Sequence, residues 1–309
     1  LIYIQEGRAM INTDRTFCTY ENIYYEMWET AGRYTEIAQF QVIGKSHDDR
    51  MIPMVQLGHG VETVFCIAGL SGRDRCMPVY LLEMLKEYTR AWECGWKLDE
   101  LYDLRNLLER WKFCFIPLLN PDGYEIYEKD FFAIRNPVYR QMLRMQEIPC
   151  KEFNGNGRGI ILKNNFPTQY YKRRQIHSQP ASENETKALV KVFQENPGRG
   201  LLSFGYSERR ILYFRQPQSF AANQKSYRLA RHLQKQAAMK SDKMKFQLDD
   251  MEATGKRGYG SPEQFYAEIC RQPSFRIEIP ERNREGEAVP DEKEYREIRT
   301  LPLEYLFSL

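Results

Sequence analysis

The sequence predicts a single α/β domain with a twisted, mixed, mostly parallel sheet and helices on both faces. Two observations support this fold class. Strand-like segments alternate with helical segments along the chain. The continuous apolar run 64–70 is typical of a strand buried on both faces, and 111–118 is interpreted as another buried strand. Because no internal repeat, low-complexity linker or change in composition marks a boundary, we expect one domain over 1–309.

The first half of the chain begins with a helix predicted over 20–35, where apolar residues recur at helical spacing. Strands are expected over 39–43 and 51–57, on either side of a polar turn. Pro78 lies near the first position of a helix that runs to about residue 90. The remaining predicted elements, in order, are a helix over 98–110, the strand 111–118, a turn over 120–123, strands over 201–206 and 210–214, helices over 221–239 and 262–271, a strand over 274–279 and a charged surface helix over 290–299.

Composition excludes several classes of protein. The net charge of +3 is too small for a nucleic-acid-binding surface, and the basic run 171–174 is interpreted as a solvated loop. No apolar stretch is long enough to span a membrane. The seven cysteines are odd in number and include no C-x-x-C pair, which favours a reduced or anaerobic environment. The first residue is Leu1, so an upstream signal peptide, anchor or domain is left open.

Five motifs occur in register with one another. They are IGKS with a following arginine (43–50), FIPLLNPDGY (115–124), NGRGIILKNNFP (156–167), PASENETKAL (180–189) and PSFRIEI (273–279). Together they resemble the zinc metallocarboxypeptidases over about 20–280, most closely the bacterial branch that cleaves γ-D-glutamyl-diamino-acid bonds of cell-wall peptides. The resemblance implies the carboxypeptidase fold, with a cleft at the carboxyl ends of the central strands. It also implies a bacterial cytoplasm or cell envelope as the location.

The residues that hold zinc in that family are altered here. The family's A-G-x-H-x-x-E turn corresponds to residues 68–74, in which Ser71 stands at the histidine and Asp74 at the glutamate. The third ligand position falls on Tyr206, or on Gly205 if the register slips by one. The aspartate that supports a zinc ligand is replaced by Ile161. Serine and tyrosine are poor zinc ligands, so we expect no bound zinc and no other cofactor.

The substrate-binding residues are also changed. The Asn-Arg pair that clamps the substrate carboxylate reads Lys163-Asn164. The resemblance implies that Glu278 is the vestigial general base and that Arg158 stabilises the oxyanion, with Arg135 competing for this role. It further suggests Tyr259 as the tyrosine that closes over substrate.

Without a metal, the carboxylates of Asp74 and Glu278 should repel each other. We therefore expect a nearby cation, namely Arg73, Arg158 or Lys163, to neutralise them.

These observations favour a non-catalytic relative of the zinc carboxypeptidases that binds peptides or peptidoglycan fragments in the old cleft. One alternative is an active peptidase with a rearranged metal site, which requires His177 or another histidine beside Asp74 and Glu278. The other alternative is a structural or partner-binding protein whose cleft is filled by bulky side chains such as Tyr206. The four histidines are otherwise interpreted as surface residues: His47, His59, His177 and His232. The oligomeric state is left open.

Overall fold

The computed structural model describes residues 18–169, 171, 179–214, 219–241, 246–251, 260–280, 282–284 and 287–309. The strands are β1 (Ala38–Lys45), β2 (Met51–Leu57), β3 (Glu62–Ile67), β4 (Lys97–Leu98), β5 (Tyr102–Asp103), β6 (Trp111–Ile116), β7 (Gly200–Tyr206), β8 (Arg210–Phe214), β9 (Gln247–Met251), β10 (Ser274–Ile279), β11 (Arg282–Arg284) and β12 (Glu287–Val289). The helices are α1 (Tyr20–Arg33), α2 (Cys76–Cys94), α3 (Leu104–Arg110), α4 (Pro121–Lys129), α5 (Pro137–Arg144), α6 (Asn184–Glu195), α7 (Phe220–Lys240), α8 (Pro262–Cys270), α9 (Glu292–Ile298) and α10 (Leu301–Phe307).

Eight of the strands form one mixed sheet in the order β1-β2-β6-β3-β7-β10-β8-β9. The pairs β6–β3, β3–β7, β7–β10 and β8–β9 are parallel, and the other three pairs are antiparallel. From these pairings β1, β3, β6, β7 and β10 all point the same way. Their carboxyl ends therefore lie along one edge of the sheet, which we call the carboxyl edge.

The central strands are buried because helices cover both faces of the sheet. Alternate residues of β3 pack on opposite sides: Val64 and Cys66 join the core formed with α1, α2, α7, α9 and α10, whereas Phe65 and Ile67 join the core formed with α6 and α8. This arrangement confirms the predicted α/β class. No helix in the described residues is both long and apolar enough to cross a membrane. All seven cysteines are free thiols.

Three element predictions were wrong. The helix predicted over 290–299 forms as α9, but it is not a surface helix, because four of its seven residues are buried: Glu294, Tyr295, Glu297 and Ile298. The turn predicted over 120–123 is the start of α4, because the Asn120 side chain accepts a hydrogen bond from the Gly123 backbone and Pro121 occupies the first turn. The helix predicted from residue 98 begins only at Leu104, after the short β4–β5 pair, where the Asp103 side chain caps it.

Candidate functional site

The loop after β3 carries the first two positions of the altered motif. Gly72 lets this loop pack against α4, since a Cβ at Gly72 would lie 2.5 Å from the Gly123 carbonyl oxygen. The Ser71 hydroxyl donates to the Asn154 side-chain oxygen at 2.7 Å and accepts from the Arg73 backbone at 3.3 Å. The Ser71 hydroxyl therefore both donates and accepts a hydrogen bond within the surrounding loops.

Asp74 is turned back toward its own loop. Its side chain is buried, and Oδ2 lies 3.4 Å from the Gly69 backbone nitrogen. The Asp74 backbone nitrogen in turn donates to the Ser71 carbonyl at 3.0 Å. The carboxylate thus contributes to closing the turn between Gly69 and Asp74.

The register of β7 against β10 decides which residue occupies the third position. Gly205 pairs with Glu278, and Tyr206 pairs with Ile279. Because successive side chains of a strand point to opposite faces, Gly205 shares a face with Glu278 whereas Tyr206 lies on the other face. This register favours Gly205 over Tyr206 as the third position, which is the alternative that the sequence left open. Tyr206 is 36% exposed, so it does not fill the cleft as the third hypothesis required.

The space at Gly205 is occupied by an arginine. Arg276 lies two residues before Glu278 on β10, hence on the same face. A Cβ at Gly205 would stand 3.3 Å from a terminal nitrogen of Arg276. Glycine at this position therefore gives the guanidinium room to lie over the strand.

Both oxygens of Glu278 are engaged by guanidinium groups. Arg276 Nε lies 2.9 Å from Glu278 Oε1, and Arg210 Nε donates to Oε2. Burial alone would lower the pKa of Arg276, but the carboxylates of Glu263, Glu278 and Asp74 outweigh it and raise that pKa above its usual value. The cation that the sequence required is present, but Arg276 and Arg210 supply it for Glu278.

The other predicted residues lie elsewhere on the carboxyl edge. Arg158 lies 3.3 Å from Glu183, and Arg135 is largely exposed, with Nε 3.6 Å from Asp48. Arg158 therefore pairs with Glu183, and this contact does not support the expectation that it neutralises Asp74 and Glu278.

The other residues predicted for the site lie in or next to one short turn, or outside the described part of the chain. Lys163 and Asn164 stand in a short 3-10 turn, Leu162–Asn164, and are partly buried. Ile161 precedes this turn. Tyr259 and His177 lie outside the described residues.

A second polar cluster lies on the same edge, beside the turn that follows β1. The ligand atoms of His47, Glu183 and Glu185 all lie within 4.8 Å of one another. His47 Nε2 is 3.1 Å from Glu183 Oε2, and the histidine side chain is only 14% exposed. The interpretation of His47 as a surface residue was therefore wrong.

Two neighbouring elements hold this second cluster in place. The turn that carries His47 is fixed by Arg50, which pairs with Asp48 at 2.9 Å and with Asp122 at 2.8 Å. Glu183 is the residue that precedes α6, and Glu185 lies in the first turn of that helix.

The surroundings of Glu183 and Glu185 differ strongly. Burial alone would raise the pKa of Glu183, but interactions with His47, Asn156 and Ser182 lower it to about 2. Burial raises the pKa of Glu185 to about 8 and the nearby Asp122 adds to this effect, which Asn156 only partly opposes.

Sequence reasoning missed Arg276, Arg210, Glu183 and Glu185, and it interpreted His47 as a surface residue. Arg276 and Arg210 lie at ordinary strand positions. The one visible signal was Arg276 in the motif PSFRIEI, because the zinc carboxypeptidases that this motif resembles carry a threonine there, in the pattern P-S-F-T-I-E. Gly205 was named, but only as the alternative to Tyr206, and Glu183 and Glu185 were not singled out within their motif. His47 gave no signal of its own, because its partners are more than 130 positions away in the chain.

Comparison with known proteins agrees with this architecture. The family model described as zinc carboxypeptidase matches residues 23–295, so the chain belongs to the zinc carboxypeptidase family. No curated protein is significantly similar in sequence.

Three solved structures illustrate the similarity in fold. Carboxypeptidase A from Helicoverpa armigera has a TM-score of 0.72 at 14% identity, over 94% of this chain and 72% of that chain. Bovine thrombin-activatable fibrinolysis inhibitor, in complex with tick carboxypeptidase inhibitor, has a TM-score of 0.70 at 14% identity, over 94% and 95% of the two chains. A metallo-carboxypeptidase from Burkholderia cenocepacia has a TM-score of 0.64 at 11% identity, over 94% and 68%.

The family implies zinc, but the residues present do not fit it. Zinc sites are built from histidine, cysteine and carboxylate ligands. Here the three positions offer a serine hydroxyl that donates to Asn154, an aspartate turned toward Gly69, and a glycine. A guanidinium lies next to the glycine position, and it would repel a cation.

Proposed function

We propose that this protein is a non-catalytic member of the zinc carboxypeptidase family that binds a carboxylate-bearing peptide at the carboxyl edge. One observation carries the proposal. The general-base position, Glu278, is held by Arg276 and Arg210, and the Arg276 guanidinium lies where the third zinc ligand would project from position 205.

Hydrolysis in this family depends on a metal-bound water and a carboxylate free to handle its protons. Each oxygen of Glu278 already faces a guanidinium, so neither is directed toward an attacking water. The first two ligand positions supply a hydroxyl and a short carboxylate instead of histidine and glutamate. Loss of all these parts together supports loss of turnover.

Binding can persist after turnover is lost, because the residues that recognise a ligand are separate from those that activate water. Four basic side chains lie in the loops near this edge: Arg73 after β3, Arg135 beside Asp48, Arg158 beside Glu183, and Lys163 in the turn Leu162–Asn164. They favour a ligand with free carboxylates, such as a peptide C-terminus or an acidic γ-D-glutamyl cell-wall peptide.

The alternative of an active enzyme with a rearranged metal site requires a histidine beside Asp74 and Glu278. Three histidines lie in the described part of the chain. His47 pairs with Glu183, His232 pairs with Glu304, and His59 is exposed in the loop before β3, at the opposite end of that strand from Asp74. These contacts favour the non-catalytic proposal.

The test is turnover and binding measured on one preparation with added zinc. We expect wild type to hydrolyse C-terminal peptides and γ-D-glutamyl-diamino-acid peptides no faster than Glu278→Gln, yet to bind the acidic peptide more tightly than its C-terminally amidated form by calorimetry. Hydrolysis by wild type that Glu278→Gln abolishes would overturn the proposal. Equal affinity for the acidic and amidated peptides would show that the protein does not recognise a peptide by its free carboxylate.

A restored variant provides the matched positive control. The quadruple substitution S71H/D74E/G205H/R276T returns the family's residues to all four positions. We expect it to bind one more zinc ion per chain than wild type, counted by metal analysis after dialysis. An unchanged stoichiometry in a folded variant would mean that these residues are not what excludes zinc.

A further inference from the structure

We propose that His47, Glu183 and Glu185 form a binding site for a first-row divalent cation such as Zn²⁺ or Mn²⁺. This site is separate from the family's zinc position and does not depend on the proposed function.

The three side chains converge from two segments that are far apart in sequence. His47 comes from the turn after β1, whereas Glu183 and Glu185 come from the start of α6. Ligand atoms that share a zinc ion at about 2.1 Å each stand roughly 3.4 Å apart in a tetrahedral site. The 3.1 Å between His47 Nε2 and Glu183 Oε2, and the 4.8 Å limit for the whole set, are close to that spacing.

The imidazole of His47 faces the two carboxylates, and its 3.1 Å contact with Glu183 is not a well-aligned hydrogen bond. His47 Nε2 is buried and makes no well-aligned hydrogen bond with any described residue. A buried nitrogen that faces two carboxylates in this way is suited to a cation placed between them. An edge-on ring contact with Tyr139, with centroids 6.3 Å apart, limits rotation of the imidazole.

The charge balance points the same way. Glu183 and Glu185 are both fully buried. Arg158 contacts Glu183 at 3.3 Å from a partly exposed position, and within the described residues no lysine or arginine forms an ion pair with Glu185. By contrast, the neighbouring Asp122 is paired directly with a buried arginine. The cluster therefore has more buried carboxylate than fixed positive charge, as expected of a site that accepts a cation.

An amide orients both carboxylates. Asn156 Nδ2 donates to Glu183 Oε2 at 2.8 Å and to Glu185 Oε2 at 3.2 Å. The Asn156 side-chain oxygen is itself fixed by the backbone nitrogens of Arg158 and Ile160. Such outer partners are what hold metal ligands in a defined orientation before the ion arrives.

The ligand types narrow the choice of ion. One imidazole with two carboxylates suits zinc or manganese, whereas calcium prefers six to eight oxygen ligands. Three protein ligands leave at least one coordination position for water or for a ligand carboxylate. The site would then add a Lewis-acidic contact to the same edge that carries the basic side chains.

The test is calorimetric titration of the metal-free full chain with ZnCl₂ and, separately, with MnCl₂. We expect saturable binding of one ion, weakened at least about 10-fold by His47→Ala and by Glu185→Gln. His232→Ala is the matched histidine control, because His232 pairs with Glu304 in a different part of the molecule. Asp74→Asn is the control for the family's zinc position, and both controls should bind as wild type does.

Three results would overturn the proposal: no saturable binding by wild type, unchanged affinity in His47→Ala, or loss of binding in Asp74→Asn. The last would place the ion at the family's position and would also contradict the proposed function, whereas the first two leave that function standing. Should His47→Ala fail to fold, the zinc-dependent rise in melting temperature decides the matter. That rise should be present in wild type and absent in the near-isosteric Glu185→Gln.

Discussion

Two clusters on the carboxyl edge differ in the source of their positive charge. Around Glu278 the chain itself provides the cations, through Arg276 and Arg210. Around Glu185 it provides a histidine, an amide and one arginine that contacts only Glu183.

This difference explains why the first cluster is not expected to bind a metal ion, whereas the second is suited to bind one. A dication and a guanidinium serve the same electrostatic purpose beside buried carboxylates, so a chain that supplies the guanidinium permanently leaves no place for the ion. Where the chain supplies no such group, buried carboxylates either take up a proton or attract an external cation.

The largest expected effect breaks the first cluster. Arg276→Thr, which restores the family residue, removes the buried cation that balances Glu263, Glu278 and Asp74. We expect the free energy of unfolding to fall by about 3–5 kcal/mol, since breaking a buried ion pair leaves an uncompensated charge. Urea denaturation at neutral pH measures it.

The exposed Arg135 provides the control, because Arg135→Ala should cost under about 0.5 kcal/mol. The double variant Arg276→Thr/Glu278→Gln should lose less stability than the sum of its two single changes. If Arg276→Thr unfolds within about 0.5 kcal/mol of wild type, the guanidinium is not what balances these carboxylates.

A third buried carboxylate, Glu294 on α9, tests the same idea through pH. Burial raises its pKa from an ordinary value of 4.5 to about 7, and the Tyr80 hydroxyl, 3.2 Å away, only partly opposes this. Between pH 4.5 and 7 the folded chain binds more protons at Glu294 than the unfolded chain. The contribution of Glu294 to the free energy of unfolding should therefore fall as pH rises through this window.

We expect this contribution to fall by about 2 kcal/mol between pH 5 and pH 8. Glu294→Gln carries no titrating group, so its stability should fall less than that of wild type over the same range. Urea midpoints at the two pH values measure both chains. Parallel pH profiles for the two would show that Glu294 titrates normally in the folded protein.

The sequence was sufficient for the fold because the apolar runs of the central strands and the motifs at their ends are local signals. It was insufficient for the two clusters because they depend on contacts between distant segments. The sequence left Tyr206 and Gly205 open as the third zinc position. The pairing of β7 with β10 favours Gly205, because it lies opposite Glu278. His47 contacts Glu183 only because the fold places the turn after β1 beside the start of α6.

The predicted neutralising cation is a second case in which the sequence alone did not identify the contact. Electrostatics alone required a positive group near Glu278, and that inference was correct. The identity of the group was wrong because strand alternation, and not nearness in the motif, places Arg276 on the Glu278 face.

The smallest expected change in stability concerns Ser71, which stands at the position of a zinc-binding histidine in the family. Ser71→Ala removes a hydrogen bond of 2.7 Å to the side-chain oxygen of Asn154, in a partly buried loop. We expect a loss of about 1 kcal/mol in the free energy of unfolding, by urea denaturation, with cation binding at His47 unchanged. In a double-mutant cycle with Asn154→Ala the two changes should be less than additive, because they remove the same contact. Strict additivity would show that the serine hydroxyl is stabilised by something other than Asn154, and would reopen the question of what this position now does.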